Sequence, residues 1–196
     1  DAWPERLVLS LWAGETLRHH GVMEAQAMIA LGVRPVWDDA GRPRELQLIP
    51  VSELGRPRID VLLSITGSYR DQFPTLMALL DKAVSQVVAD EPEGGIARSS
   101  RAIARELQAQ GMGREQAQRL GRVRVFGNAI GDYGTGVADA VLSDNLRQRD
   151  DRLGQMFLQR MGQPYLDGVS VNGVDRAAGA KALGAHLRHS DAALLS

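Results

Sequence analysis

A short apolar run in the first third of the chain constrains the fold most. Residues 59–66 read Ile-Asp-Val-Leu-Leu-Ser-Ile-Thr, a nearly continuous series of apolar and β-branched side chains. Such a series is typical of a strand that is covered on both faces, as in a parallel sheet. Gly67 marks the end of this strand, and Arg70 and Asp71 follow where a helix begins. Ligands of open α/β sheets bind at the carboxyl ends of strands, so this pair is a candidate site. The alternative is that the two charges only cap the helix start.

Two other apolar runs are followed by polar or glycine-rich stretches in the same way. Residues 7–12 precede a polar cluster and a helix predicted at 22–31, and residues 122–126 precede a glycine-rich stretch. Strands that alternate with helices predict an α/β fold with a largely parallel buried sheet flanked by helices, in a Rossmann-like three-layer arrangement. Further helices are predicted at 74–89, 96–110, 114–120, 137–142, 149–161 and 175–189. Those at about 96–120 are expected to form a helical excursion from the sheet, and residues 165–173 a loop.

Bulk properties exclude several classes of protein. The 196 residues suit one α/β domain or domain fragment spanning 1–196, and a net charge of −1 argues against a nucleic-acid partner. No apolar run approaches the roughly 18 residues of a transmembrane segment. The chain has no cysteine, which fits a reducing, cytoplasmic location. It does not begin with methionine, so we expect it to be excised from a much larger subunit.

The first polar cluster contains two histidines and two carboxylates. Its members are Glu15, Arg18, His19, His20 and Glu24. In a helical conformation the first three share one face, and His20 lies one turn before Glu24. A histidine and a carboxylate one turn apart can hold a divalent metal ion or pass a proton near neutral pH. The alternative is a solvated histidine pair at a helix start.

The glycine-rich stretch at 127–136 reads GNAIGDYGTG, with four glycines in ten residues. Its backbone can approach a ligand closely. No Gly-Lys-Ser/Thr follows, and the glycine spacing is not that of a dinucleotide-binding loop, so we exclude a nucleotide site. A loop packed against a large flat ligand, with Asp132 and Tyr133 facing it, remains open. So does a simple tight turn between a strand and a helix.

Three stretches together resemble a known family. They read ETLRHHGVMEAQAMIALGVRPVWD from residue 15, QLIPVSELGRPRIDVLLSITGSYRDQFPTLMALLDKAV from residue 47 and RVFGNAIGDYGTGVADAV from residue 124. They are similar to the large subunit of cobaltochelatase and, less closely, to that of magnesium chelatase, in order from about Leu9 to Met161. The resemblance implies a segment of the C-terminal half of a large tetrapyrrole-binding subunit. It also implies partner AAA+ ATPase subunits, which hydrolyse ATP-Mg elsewhere than on this chain.

Insertion of a metal into a tetrapyrrole suggests roles for these residues. The ring must lose its pyrrolic protons, so we predict His19, Glu15 and His20 as catalytic bases. We predict His19, Glu15 and Glu24 as ligands of the divalent metal substrate. Arginines suit the ring's carboxylates, so the predicted ring-binding residues are Arg70, Arg18, Asp71, Tyr133 and Asp132.

The expected activity is that of a cobaltochelatase-like ligase that inserts cobalt into a corrin ring, with the fragment alone inactive. Two alternatives stay open. The first is a porphyrin- or haem-handling relative that inserts or removes iron or magnesium. The second is a non-catalytic scaffold that docks partner subunits.

Overall fold

The computed structural model describes residues 3–136 and 150–195. The strands are β1 (Arg6–Leu11), β2 (Val33–Trp37), β3 (Pro43–Leu48), β4 (Asp60–Ile65), β5 (Val125–Gly127), β6 (Gln163–Leu166), β7 (Val169–Ser170) and β8 (Ala192–Leu195). The helices are α1 (Ala13–Arg18), α2 (Val22–Leu31), α3 (Val51–Leu54), α4 (Gly67–Gln72), α5 (Pro74–Asp90), α6 (Gly95–Ala109), α7 (Arg114–Arg122), α8 (Asp150–Met161) and α9 (Arg176–Arg188). The helix predicted at 137–142 lies outside the described residues.

The main sheet has the strand order β7-β6-β5-β4-β1-β8. Strands β5, β4, β1 and β8 are parallel, whereas β6 and β7 are antiparallel to their neighbours. The sheet is thus mixed and mostly parallel, which confirms the predicted fold class. The prediction of a loop at 165–173 is wrong at its start, because Tyr165 is buried and pairs with Val125. Asp167 and Gly168 both have positive φ and form the two-residue turn of a β6–β7 hairpin.

Helices cover both faces of the sheet. Side chains alternate along β4, so that Val61 and Leu63 face one apolar core, with α2 and α5, and Leu62 faces the other. The second core includes Leu107 of α6 and Leu120 of α7. The prediction that residues 96–120 leave the sheet is therefore wrong. Their arginines face outward from apolar stripes that pack on the sheet, and the three-layer arrangement is complete without an excursion.

The Arg-Pro-Arg sequence before β4 caps the preceding strand–helix unit. The last carbonyl groups of a helix lack partners within it. Arg58 donates to the carbonyl oxygens of Leu31 (3.0 Å), Gly32 (2.7 Å) and Ile49 (2.9 Å). Its Nε donates to Glu91 at 2.7 Å. This arginine therefore holds the end of α2, the end of the β2–β3 hairpin and the end of α5 together.

A buried ionic network lies at the amino ends of β1 and β4. Asp60 accepts from Arg124 Nε at 2.7 Å and from Arg6 Nε at 3.0 Å, and all three side chains are buried. Arg124 also donates to Ser100 Oγ at 2.8 Å, and Arg6 contacts the buried His186. One carboxylate thus compensates two arginines at the edge opposite the predicted site. No helix within 3–136 or 150–195 is long and apolar enough to cross a membrane.

Candidate functional site

The three chain segments that follow β1, β4 and β5 lie at the same edge of the sheet. Strands β1, β4 and β5 are parallel neighbours, so the α1–α2 turn, α4 and the glycine-rich loop 127–136 all follow carboxyl ends at the same edge. Helix α1 packs against α4. Arg70 of α4 contacts the glycine-rich loop directly. This edge is therefore a continuous surface built by three chain segments, as expected for a ligand site in an α/β sheet.

Arg70 binds the backbone of the glycine-rich loop. Its Nη1 donates to the carbonyl oxygens of Asn128 (3.2 Å), Ala129 (2.5 Å) and Asp132 (3.5 Å), and its Nε donates to Asp71 (2.7 Å). The side chain is buried. Its hydrogen bond to Asp71 is the main reason that the pKa of Arg70 is raised. Four of its contacts are already made within the protein, so its geometry suits a loop anchor better than the predicted anchor for a ring carboxylate.

Asp71 and Tyr133 extend this contact to the surface. The Tyr133 hydroxyl donates to Asp71 at 2.8 Å, and the Arg70 guanidinium carbon lies 5.5 Å from the centre of the Tyr133 ring. Hydrogen bonds from Arg70 and then from Tyr133 lower the pKa of Asp71. Tyr133 is 58% exposed, so its ring reaches the surface beside the Arg70 guanidinium.

Asp132 is held by an arginine that the sequence reading missed. Arg176, the first residue of α9, donates to Asp132 at 2.6 Å. Both side chains are on the surface. Arg176 lies 44 residues from Asp132 in sequence, and only the fold brings it to this edge. Its position at a helix start gave no signal of a role.

Asn128 and Gly67 fix the distance between the loop and α4. The Asn128 Oδ1 accepts from Gly67 N at 2.9 Å, and its Nδ2 donates to the carbonyl of Gly134 at 2.8 Å. A Cβ atom on Gly67 would lie 2.8 Å from the Tyr133 ring and closer still to the Asp132 carbonyl oxygen. The close approach therefore requires glycine at this position.

Replacing Gly67 with alanine is expected to push the glycine-rich loop outward and to lower the free energy of unfolding by about 1–3 kcal/mol, as overpacking does. Hydrogen exchange of residues 127–136 should increase, and urea denaturation gives the change in stability. Gly14, in helix α1, is the matched control, because a Cβ atom there would meet nothing within 4 Å. Equal effects of G67A and G14A would contradict the close contact.

The α1–α2 turn has an unusual backbone. His20 adopts φ 55° and Gly21 φ 79°, so two consecutive residues are left-handed. A non-glycine residue with positive φ is uncommon and is often found at functional sites. The His20 side chain is exposed and makes no hydrogen bond within the described ranges. Glu15 pairs with the exposed Arg18. Both nitrogens of His20 are thus available at the surface.

His19 does not fit the predicted role of base in this arrangement. Its Nδ1 accepts from the backbone N–H of Val22 at 3.1 Å. The neutral ring therefore carries its proton on Nε2, which leaves no free lone pair to accept another proton or to bind a metal ion. A base or ligand role would first require the bond to Val22 to break.

The three predicted metal ligands are not assembled. No group of three or more His, Cys, Asp or Glu side chains in residues 3–136 and 150–195 is arranged to hold a metal ion. Glu15 is turned to Arg18, whereas Glu24 is buried and accepts from Thr16 Oγ1 at 2.8 Å. The structure therefore does not bring His19, Glu15 and Glu24 together, because α2 turns Glu24 into the protein and Glu15 is paired with Arg18.

Large apolar side chains are exposed in the segments of this edge. They are Trp12, Leu17, Ile130 and Tyr133, and Ile130 is 79% exposed. The first two belong to the segment after β1 and the last two to the glycine-rich loop. Exposed apolar groups with charged side chains around them are typical of a binding surface. Here Arg18 follows Leu17 in the sequence, and Arg176 bonds to Asp132 of the glycine-rich loop.

Comparisons with known proteins support one family. A family model described as CobN/Magnesium Chelatase matches residues 1–196. The aerobic cobaltochelatase subunit CobN of Pseudomonas aeruginosa is 40% identical over 82% of this chain and 13% of its own length. The magnesium-chelatase subunit ChlH of Oryza sativa subsp. japonica is 38% identical over 81% of this chain and 11% of its own length.

A solved structure of the same family is also similar to this chain. The catalytic subunit of cobaltochelatase from Mycobacterium tuberculosis superimposes with a TM-score of 0.78 and 32% identity, over 98% of this chain and 16% of that protein. The chain thus spans about one seventh of the length of the relatives it matches. Matches of this extent and identity show that the chain belongs to the CobN/magnesium chelatase family.

Proposed function

We propose that this chain forms part of the ring-facing surface in the large subunit of an ATP-dependent tetrapyrrole metal chelatase. The observation that carries the proposal is the shared sheet edge, where exposed apolar and aromatic side chains lie in segments that also bear arginines. A tetrapyrrole is a flat apolar ring with carboxylate-bearing substituents, so it needs both kinds of contact. The metal ion is a substrate. In this proposal the protein is cytoplasmic, and ATP is hydrolysed on separate AAA+ subunits.

The ring's flat surface would lie against Tyr133 and Ile130. The Tyr133 ring is held from one side by Arg70 and through its hydroxyl by Asp71, so little freedom is lost when a second flat ring stacks on it. Buried Arg70 serves this contact indirectly, by holding the backbone of the loop. Its role is thus positioning rather than direct binding of the substrate.

The ring's carboxylates would bind Arg18 and Arg176. These side chains are 76% and 63% exposed, and within residues 3–136 and 150–195 each pairs with one partly exposed carboxylate, Glu15 or Asp132. Exposed ion pairs contribute about 0–1 kcal/mol, so a carboxylate of the ligand can replace the protein's own at little cost. A bidentate contact to guanidinium adds geometric selectivity. Glu15 and Asp132 keep the two arginines extended until the ring arrives.

His20 is the proposed acceptor of the first pyrrolic proton. It is exposed and makes no hydrogen bond to any residue that the structure describes, and it lies in the turn between α1 and α2. An imidazole near neutral pH accepts a proton without a large driving force. Its backbone is left-handed, with φ 55°, a conformation that is often found at functional sites.

The proposed substrates are Co²⁺ and a corrin ring. A porphyrin with magnesium or iron is the second candidate, because the identities to a cobaltochelatase subunit and to a magnesium-chelatase subunit are almost equal, 40% and 38%. The test offers the full-length large subunit and its ATPase subunits a metal-free corrin, a metal-free porphyrin or haem, with Co²⁺ or Mg²⁺. Absorption spectra then follow insertion or release.

We expect ATP-dependent insertion of cobalt into the corrin. Insertion of magnesium into the porphyrin, or release of iron from haem, would establish the second candidate. If no ring binds or changes its spectrum, the segment is a scaffold and the proposal fails.

A further inference from the structure

The base of the glycine-rich loop is attached to the sheet by a tyrosine outside the predicted site. Tyr165 lies on β6, where it pairs with Val125 of the neighbouring β5, and it is 2% exposed. Its hydroxyl donates to the carbonyl oxygen of Asn128 at 2.5 Å. Asn128 is the first residue after β5, and Tyr165 follows it by 37 residues in the sequence. The strand beside β5 therefore holds the loop at the point where the loop leaves the sheet.

The Asn128 carbonyl oxygen is shared by two buried donors. Arg70 Nη1 of α4 donates to it at 3.2 Å, beside the bond from Tyr165. A carbonyl oxygen has two lone pairs, so these two bonds satisfy it fully. Burial raises the pKa of Tyr165, and the neighbouring Arg70 only partly offsets this effect, so the hydroxyl keeps its proton and remains a donor. Helix α4 and strand β6 thus hold the same backbone atom.

The Asn128 side chain ties the two ends of the loop together. It is fully buried, and its Oδ1 accepts from Gly67 N at 2.9 Å. Its Nδ2 donates to the carbonyl oxygens of Gly134 at 2.8 Å and of Arg160 at 3.3 Å. Breaking a buried hydrogen bond costs more than breaking an exposed one, because the group left behind has no water to bond to. The base of the loop is therefore held by bonds that solvent does not replace.

The side-chain contacts at the tip of the loop lie at the surface instead. Asp132 pairs with Arg176, which is 63% exposed, and the Tyr133 hydroxyl donates to the exposed side of Asp71. Exposed ion pairs contribute little to stability and exchange partners readily. In the proposed function, Arg176 leaves Asp132 for a carboxylate of the tetrapyrrole. The loop then depends on its base to stay in place.

We propose that Tyr165 is a positioning residue for tetrapyrrole binding, an inference that rests on the proposed chelatase function. By holding the Asn128 carbonyl, Tyr165 keeps the base of the loop fixed while Arg176 exchanges Asp132 for the ligand. Because its side chain is buried, it acts through the loop and not by contact with the ligand. A loop that is already ordered loses less entropy on binding, so Tyr165 raises the affinity for the tetrapyrrole without taking part in metal insertion.

Tyr165→Phe tests this role in the full-length subunit, because it removes the hydroxyl and keeps the aromatic ring that packs in the core. Loss of one buried hydrogen bond changes an equilibrium by about tenfold. We therefore expect faster hydrogen exchange of residues 127–136, and a Kd for a metal-free tetrapyrrole, measured by absorption titration, that rises about tenfold. The kcat at saturating tetrapyrrole, measured with the ATPase subunits, should stay within about twofold of wild type.

Tyr69→Phe is the matched control. Tyr69 is also fully buried, but its hydroxyl bonds to Glu24 and not to the loop. Each variant removes one buried hydroxyl, so both should lower the urea midpoint of unfolding. Y69F should nevertheless leave the hydrogen exchange of the loop and the Kd for the tetrapyrrole at their wild-type values.

Unchanged loop exchange or an unchanged Kd in Y165F would overturn the proposal. Equal effects of Y165F and Y69F would also overturn it, because they would reveal a general loss of stability, and so would a fall in kcat with no change in Kd. A wild-type subunit that binds no tetrapyrrole refutes the proposed function instead. Hydrogen exchange in Y165F requires no ligand, so it then still decides whether Tyr165 holds the loop.

Discussion

Replacing Asp60 with asparagine is expected to lower the free energy of unfolding by about 3–5 kcal/mol, the usual cost of removing one partner from a buried ion pair. Asp60 is the carboxylate between Arg6 and Arg124, and all three side chains are buried. Asparagine retains an oxygen for one arginine but no charge for either. Two guanidinium groups would then repel each other in a region that excludes water.

Urea denaturation, followed by circular dichroism, measures this loss. The matched control is Glu106→Gln, which breaks ion pairs with Arg188 and His189 at the surface. Exposed pairs contribute about 0–1 kcal/mol, so E106Q should cost far less than D60N. Similar losses for the two variants would show that the buried network is not the stronger one.

The pH dependence of stability provides a second measurement on the same residue. Burial raises the pKa of Asp60, but Arg124 and Arg6 more than offset that effect, so the pKa is lowered overall. A group with a lowered pKa in the folded state stabilises the protein above its unfolded pKa of about 3.9. This contribution is lost as the pH falls through the folded-state value. D60N should therefore remove part of the acid dependence of unfolding below about pH 4.

Replacing His20 with asparagine is expected to lower the rate of metal insertion by about 10²–10⁴-fold, the usual contribution of a general base. Asparagine tolerates the left-handed backbone that His20 adopts at φ 55°, so the turn should persist. The imidazole is exposed and has no hydrogen-bond partner in the described part of the chain, so its loss should affect kcat rather than binding of the ring.

Insertion is measured by absorption with the complete chelatase at saturating ring concentration, and ring binding by fluorescence quenching. His189→Asn is the control, because His189 is also a surface histidine but pairs with Glu106 at the far end of α9. H189N should insert metal at the wild-type rate. A fall of less than about threefold for H20N would exclude His20 as the base.

The strand–helix units could be predicted because their signals are local. The apolar run before Gly67 predicted β4, and the apolar spacing from residue 22 predicted α2. The β6–β7 hairpin was missed although Asp167-Gly168 is a hairpin-turn sequence, since the flanking strands are only four and two residues long. The positions of α6 and α7 were predicted wrongly because their many arginines suggested solvated helices. An apolar stripe on each helix packs on the sheet instead.

The sequence predicted where the site lies, but not which side chains contact one another there. The strand ends place the α1–α2 turn, α4 and the glycine-rich loop at one edge, where α4 contacts both α1 and the loop. The roles of individual side chains depend on their hydrogen bonds, and the spacing of residues along the sequence does not reveal those bonds. Val22 N–H fixes the tautomer of His19, α2 turns Glu24 inward, and Arg176 reaches Asp132 from another part of the chain.

The hold of Arg70 and Asn128 on the glycine-rich loop has an evolutionary consequence. Both side chains bind main-chain atoms of the loop, which every amino acid provides. Substitutions at exposed positions such as Ile130 and Tyr133 would therefore change the surface offered to a ring without releasing the loop. In the proposed function, single substitutions in the loop would change the preference for a macrocycle while the sheet and the anchors stay the same.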